Sequence, residues 1–305
     1  MSECRRCVEL SFPVPWGIIA AKAWGDPCLP PVLMVHGIQD NAGTFDRLMP
    51  MLPDMFYYVC IDLPGHGKSN RFPKGVFLNF MLYLSSIRRV VQQLHWVKYH
   101  YIGHSLGGQL GTYYASFYPD EVTKLIILDT LAPTTLDIGN YIRKSKKQIE
   151  EIIELENKLL NSNSKPNYTY EEAIRRVVNG RKAPISIGAA EVLAARSLKK
   201  NNKNFYYFST DQRLKFGVPP LVTSETHLNI IQNIQCPMLL IITHIYLEFV
   251  KSTDHSSAYD TYKLLQTKNN VQIVQVTGQH DVHNDNPEVV APHINEFLLK
   301  IKSLL

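Results

Sequence analysis

The sequence has no run of about 18 apolar residues, the length a helix needs to cross a bilayer, so no transmembrane segment is expected. It has no internal repeat and no low-complexity stretch, which sets aside solenoids and compositionally biased tails. Charge of one sign is not in excess: 32 Lys and Arg against 27 Asp and Glu leave +5 over 305 residues. The densest basic run, Arg143-Lys144-Ser145-Lys146-Lys147, is followed at once by Glu150, Glu151, Glu154 and Glu156. That mixture reads as a solvated helix face, and no nucleic-acid partner is expected. Cysteine is scarce and odd in number. Cys4, Cys7, Cys28, Cys60 and Cys236 follow no regular spacing, which argues against a disulfide framework and for a reducing, cytoplasmic setting. Cys4 and Cys7 form a C-x-x-C with no second half-site nearby, so neither zinc nor another cofactor is expected. Glu9, Pro13 and Pro15 interrupt the N-terminal apolar residues and speak against a signal peptide.

What is present is an alternation of short apolar runs and helical periods. Residues 32–36, 57–61, 99–102 and 125–128 read as strands. Helical spacing covers 44–52, 78–96 and 105–118 between them. Such βαβ units imply a mostly parallel, twisted sheet buried by helices on both faces. Residues 8–12 and 16–24 add antiparallel strands at one edge. The alternation then stops. From about 131 to 235 the chain reads as helices: 140–161 with Ile142, Ile149, Ile153 and Leu160 on one face, 169–178 behind a capping box, and 186–200. Strands return at 238–242 and 271–276. A last helix starts at Pro287, with a kink or restart expected at Pro292. The expected organisation is an α/β core from residues 1–130 and 236–305, with 131–235 inserted as a helical lid over the strand ends where such sheets bind ligands.

Gly103-His104-Ser105-Leu106-Gly107 is a G-x-S-x-G set between a predicted strand and a predicted helix. That context is what a nucleophile elbow needs: a sharp turn with small flanking residues that lifts the serine above the sheet. The amide of Leu106, opening the helix, is one candidate oxyanion donor; the amide of Ile38, after His36-Gly37, is the other. His36 itself reads as a structural histidine. The general base should be a histidine after the last strand, and His280 is placed for it, with His283 as a neighbour packing beneath. The supporting acid is expected after the strand at 238–242, but no compact Gly-x-x-Asp turn stands there. Glu248 is the nearest carboxylate and the first choice. Asp129, at the end of the strand that follows the nucleophile helix, is the second choice, and Asp254 the third.

Six stretches together resemble the α/β-hydrolase fold family. They are His36-Gly37, the run from Asp40 to Leu48, the run from Asp62 to Ser69, Gly103 to Gly108, and Asp211-Gln212-Arg213-Leu214 with Gly278-Gln279-His280. More narrowly they resemble its serine hydrolase-like group, which includes the insect kraken hydrolase. The resemblance spans nearly the whole chain. It implies a lidded single domain and Ser105 as nucleophile, without naming a substrate. Ile38 stands where the group commonly has Trp.

Two functions are consistent with these residues. One is a serine hydrolase that cleaves a small, apolar carboxylic ester or similar acyl compound through an acyl-enzyme on Ser105. The other is a catalytically weak or inactive relative that binds a small molecule, motivated by the missing acid turn. Oligomeric state is not legible. Ser303-Leu304-Leu305 is a poor peroxisomal address, and association with peroxisomes or perinuclear vesicles stays open.

Overall fold

The computed structural model describes residues 6–131, 138–161, 166–181, 183–217, 222–252 and 256–300. Cys4, Asp254 and the terminal Ser303-Leu304-Leu305 lie outside the described residues. The chain opens with a hairpin, β1 (Cys7–Val14) and β2 (Gly17–Trp24), followed by β3 (Pro31–Val35), β4 (Tyr57–Ile61) and α1 (Phe80–Gln93). β5 (Tyr99–His104), α2 (Leu106–Phe117) and β6 (Val122–Leu128) complete the first part. The span expected to be helical at 44–52 instead forms two short 3-10 turns, Ala42–Phe45 and Met49–Met51.

Between β6 and the next sheet strand lie α3 (Ile138–Asn161), α4 (Tyr170–Asn179), α5 (Ile187–Ser197), the short pair β7 (Leu198–Lys200) and β8 (Tyr206–Phe208), and α6 (Ser224–Gln232). Among the described residues, none of this segment joins the main sheet. The chain closes with β9 (Met238–Thr243), α7 (His244–Ser252), α8 (Ser257–Thr267), β10 (Val271–Val276), α9 (Val282–Asp285) and α10 (Pro287–Leu299).

The main sheet has eight strands in the order β1-β2-β4-β3-β5-β6-β9-β10. β1, β2 and β4 pair antiparallel, and the pairs from β4 through β10 are parallel. The central strands are apolar throughout because both faces are covered. Leu33 and Val35 face the layer that holds α1 and α2, while Val32 and Met34 face the opposite layer with α10, the period-two alternation of a pleated strand. The fold is therefore the expected α/β-hydrolase architecture.

Three expectations differ in detail. Ile142, Ile149, Ile153 and Leu160 lie on an exposed face of α3; Ile152 is the residue that turns inward. A single helix, α10, runs through Pro292. The stretch after β9, expected to be a loop bearing the acid, is the helix α7, which starts directly at His244. Its apolar residues Leu247 and Val250 are buried, and that packing outweighs any loop preference. By contrast, the capping box at Thr169 and Glu172 is formed as its sequence implies.

Candidate active site

Register places the reactive side chains. β5 pairs with β6 so that His104 stands opposite Leu128, and β6 pairs with β9 so that Leu128 stands opposite Ile241. The residues just beyond these ends, Ser105 and Asp129, are thus lateral neighbours. Their amides continue the ladder: Ser105 N–H donates to the Leu128 carbonyl at 3.1 Å, and Asp129 N–H to the Ile241 carbonyl at 2.8 Å. Both residues have positive φ, 49° for Ser105 and 48° for Asp129, a conformation that costs about 1–3 kcal/mol where side chains are present. At the elbow, a Cβ on Gly103 would strike the Gly107 carbonyl, and one on Gly107 the Val35 carbonyl, so the turn admits only glycine at both positions.

His280 reaches this ledge from the loop after β10. Its Nδ1–H donates to Asp129 Oδ2 at 2.9 Å, which leaves Nε2 to accept from the Ser105 hydroxyl at 3.0 Å. Asp129 is 1% exposed, and its other oxygen accepts the Thr243 amide at 2.7 Å. The sequence-derived choice of Glu248 is corrected here. Glu248 lies on the exposed side of α7, more than a turn beyond the end of β9, and makes no contact with His280 among the described residues. The second choice, Asp129, is the carboxylate brought to the imidazole.

Leu106 directly follows the serine, and a Cβ on Gly37, the residue before Ile38, would stand 3.1 Å from Ser105 Cβ. Leu106 is the first residue of α2, whose leading N–H groups have no partner within the helix. Neither the Leu106 amide nor that of Ile38 is hydrogen-bonded among the described residues. The loop bearing Ile38 is pinned by two buried, neutral histidines. His36 donates from Nδ1 to the Gly37 carbonyl at 2.7 Å and accepts at Nε2 from the Leu63 amide at 2.9 Å. His66 donates to the Pro64 carbonyl and accepts from the Gln39 amide at 3.0 Å. Burial pushes His36 down to about 4 and His66 to about 3. His36 is therefore structural, as its sequence position implied.

Beneath His280 lies a cluster that sequence reasoning missed. His104, the variable residue of the G-x-S-x-G, is 1% exposed. Its Nε2–H donates to the His280 carbonyl at 2.9 Å, and its Nδ1 stands 3.5 Å from Asp40 Oδ2. Burial alone would lower its pKa. The carboxylates of Asp40 and Asp281 and the His280 carbonyl outweigh burial and raise it above the usual histidine value. Asp40 in turn is disfavoured as an anion by burial, but Arg181 and His104 hold its carboxyl far below the usual range. His283 packs under the loop as expected, its ring 4.0 Å from that of His104 and its Nε2 hydrogen-bonded to Thr44 Oγ1 at 2.8 Å. No local motif marks Asp40, His104 and Arg181 as partners, because 141 residues separate Asp40 from Arg181.

Ser105, His280 and Asp129 open into a cavity of about 2000 Å³ between the sheet and the inserted segment. Ile38, Tyr246 and Phe249 line it with apolar surface, and the Tyr246 ring stands 6.5 Å from that of His280. α4 and α5 contribute Arg176 and Leu193. Among the described residues no helix is long and apolar enough to cross a membrane.

Comparison with known proteins agrees with this fold. A family model described as the alpha/beta hydrolase fold matches residues 30–150. The chain is 35% identical over 292 residues to a probable serine hydrolase of Drosophila melanogaster, covering 95% of this chain and 87% of that one. It is 35% identical over 303 residues to serine hydrolase-like protein 2 of Homo sapiens, covering 95% and 93%. Among solved structures, a hypothetical protein from Pseudomonas aeruginosa superposes with a TM-score of 0.81 at 26% identity, over 95% of this chain and 97% of that one. The thioesterase domain from the curacin biosynthetic pathway superposes with a TM-score of 0.78 at 22% identity, over 95% and 99%, a likeness of fold.

Proposed function

Because this chain belongs to the serine hydrolase-like group of the α/β-hydrolase fold family, we propose that it is a serine hydrolase whose nucleophile, base and acid are Ser105, His280 and Asp129. The observation that carries this reading is the unbroken hydrogen-bonded chain from the Ser105 hydroxyl through His280 to a buried Asp129.

The chemistry follows from the geometry. Ser105 Oγ attacks an acyl carbonyl as its proton passes to His280 Nε2. Asp129 keeps the imidazole in the tautomer that can accept there, and then stabilises the imidazolium. The negative oxygen of the tetrahedral intermediate lies between the amides of Leu106 and Ile38. Each such donor is typically worth about 10²–10³ in rate. His280 returns the proton to the departing alcohol, leaving an ester on Ser105. Water, deprotonated by the same histidine, cleaves that ester and restores the hydroxyl.

The apolar wall of Ile38, Tyr246 and Phe249 favours an apolar acyl chain. At about 2000 Å³ the cavity also leaves room for a substrate larger than a short ester. The segment 131–235 is read as the lid of this cavity, with residues 1–130 and 236–305 as its core. The odd number and irregular spacing of the cysteines favour a reducing, cytoplasmic compartment.

The test is a fluorophosphonate probe with a graded series of p-nitrophenyl esters. Wild-type protein is expected to label and to hydrolyse, with a preference that follows acyl length, and Ser105→Ala to do neither. Wild-type protein that refuses the probe at neutral pH would turn the reading to a small-molecule binding protein built on the same fold.

A further inference from the structure

Asp40, His104 and Asp281 bring metal-ligand atom types within 4.8 Å of one another, all buried. The cation that joins the two carboxylates belongs to the protein itself. Arg181, in the connection between α4 and α5, donates from Nη1 to Asp281 Oδ1 at 2.6 Å and from Nη2 to Asp40 Oδ1. Its planar fork suits two separate carboxylates better than a lysine would.

These three attachments have meaning for the reaction. Asp281 directly follows His280. Asp40 lies two residues beyond Ile38, on the loop that supplies an oxyanion amide. His104, directly before Ser105, spends Nε2 on the carbonyl of His280 and turns Nδ1 to Asp40. One guanidinium from the inserted segment therefore ties together the loops of the base and of the oxyanion amide, across the residue next to the nucleophile. We propose that Arg181 is a positioning residue: by bridging Asp40 and Asp281 above the buried His104, it holds the His280 loop in register with Ser105 and Asp129. The proposal rests on the serine hydrolase reading given above.

Charge supports the arrangement. The groups that act on His104 are Asp40, Asp281 and His36, with the rings of His280 and His283 at 4.8 and 4.0 Å, and Arg181 reaches it through the two carboxylates. Two carboxylates here share one guanidinium, with the His104 ring between them and the base loop. Removing Arg181 would leave an excess of buried negative charge, and the two loops would have to shift to reach water. Such a shift acts on the step that needs aligned atoms: a displacement of about 1 Å at a reacting group can cost roughly 10²-fold in rate.

The experiment uses full-length protein, p-nitrophenyl butyrate and a fluorophosphonate probe. Arg181→Gln is expected to lower kcat roughly 10²-fold with KM little changed, and to slow labelling of Ser105. Arg181→Lys, which keeps a charge but not the fork, should recover part of kcat, and guanidinium ion added to Arg181→Ala should recover part as well. Asp281→Asn, which keeps the Asp40–Arg181 pair, gives a second route if Arg181→Gln does not fold. It should lower kcat with the same unchanged KM, and combining it with Arg181→Gln should add little further loss. An active wild type with unaltered kcat in Arg181→Gln, or a loss confined to KM, overturns the positioning role. A wild type that neither labels nor hydrolyses overturns the hydrolase reading instead.

Discussion

Oδ2 of Asp129 accepts a hydrogen bond of 2.9 Å from Nδ1 of His280, while Oδ1 of the same carboxylate accepts the Thr243 amide. The proposed acid therefore sits at the end of β6, beside the strand that carries Ser105, and the Thr243 amide at the end of β9 orients it. Asp129→Asn should preserve this packing but present the wrong hydrogen-bonding partner to the imidazole. By analogy with the same change in known triads, kcat should fall roughly 10⁴-fold. Glu248→Gln, on the exposed side of α7, should leave kcat unchanged. Steady-state kinetics of the two variants on one p-nitrophenyl ester decide the matter, and the reverse order would return the role to Glu248.

The elbow makes a prediction about folding. Gly107→Ala would drive a methyl group into the Val35 carbonyl on the adjacent strand, whereas Gly188→Ala in α5 meets open space. Gly107→Ala should destabilise by at least about 1–3 kcal/mol, the usual range for overpacking. Gly188→Ala should be neutral or slightly stabilising. Thermal melts of both proteins, compared with wild type, provide the check.

Acid should unfold the protein through its histidines. Burial lowers His36, His100 and His227 to about 4 and His66 to about 3, and it places His283 well below its ordinary value. In the unfolded chain these groups titrate near 6.5, so below that pH the unfolded chain takes up protons that the folded chain refuses. Stability present above about pH 6.5 is then lost as pH falls towards 4, at about 1.4 kcal/mol per pH unit for each such histidine. His104 has the opposite sign: its folded pKa is raised, so its contribution is present below about pH 6.5 and fades as pH rises through the folded value. With five histidines against one, the thermal midpoint should drop steeply between about pH 6.5 and 5. A flat midpoint over that range would contradict the buried neutral assignment.

Two ion pairs of similar length should differ in worth. Arg196 on α5 is 5% exposed and pairs with the fully buried Asp62 at 2.7 Å, whereas Lys68 and Glu9 pair at 2.8 Å with about half of each side chain in solvent. Arg196→Ala strands a buried carboxylate and should cost about 3–5 kcal/mol. Lys68→Ala should cost about 0–1 kcal/mol. Urea unfolding of the two variants measures both.

The parts of this molecule that are local in sequence were legible there. The apolar runs announce β3 to β6, β9 and β10. The strand–turn–helix context of Gly103 to Gly107 singles out Ser105, and the position of His280 after the last strand singles out the ring that the structure brings within 3.0 Å of its hydroxyl. Asp129 was only a second choice, because its pairing with His280 spans 151 residues and depends on the register of β5, β6 and β9, which no window of sequence contains. α7 was missed because a few apolar residues directly after a strand look like loop until their burial is known. The pairing of Asp40, His104 and Arg181 has no local signature: the cluster is assembled from three distant segments and joined by the Arg181–Asp40 ion pair.

The position of Asp129 also sets an order in time. A ribosome that has translated β6 has already delivered Ser105, its carboxylate neighbour and the amides of Leu106 and Ile38, while the imidazole is still 151 residues away. At about 5–20 residues per second, that interval is roughly eight to thirty seconds. During it the nascent chain carries an ordinary alcohol at Ser105, without a base to take its proton. The inserted segment and Arg181 emerge before the imidazole too, so the proposed triad is complete only once His280 is translated, with α9 and α10 still to follow.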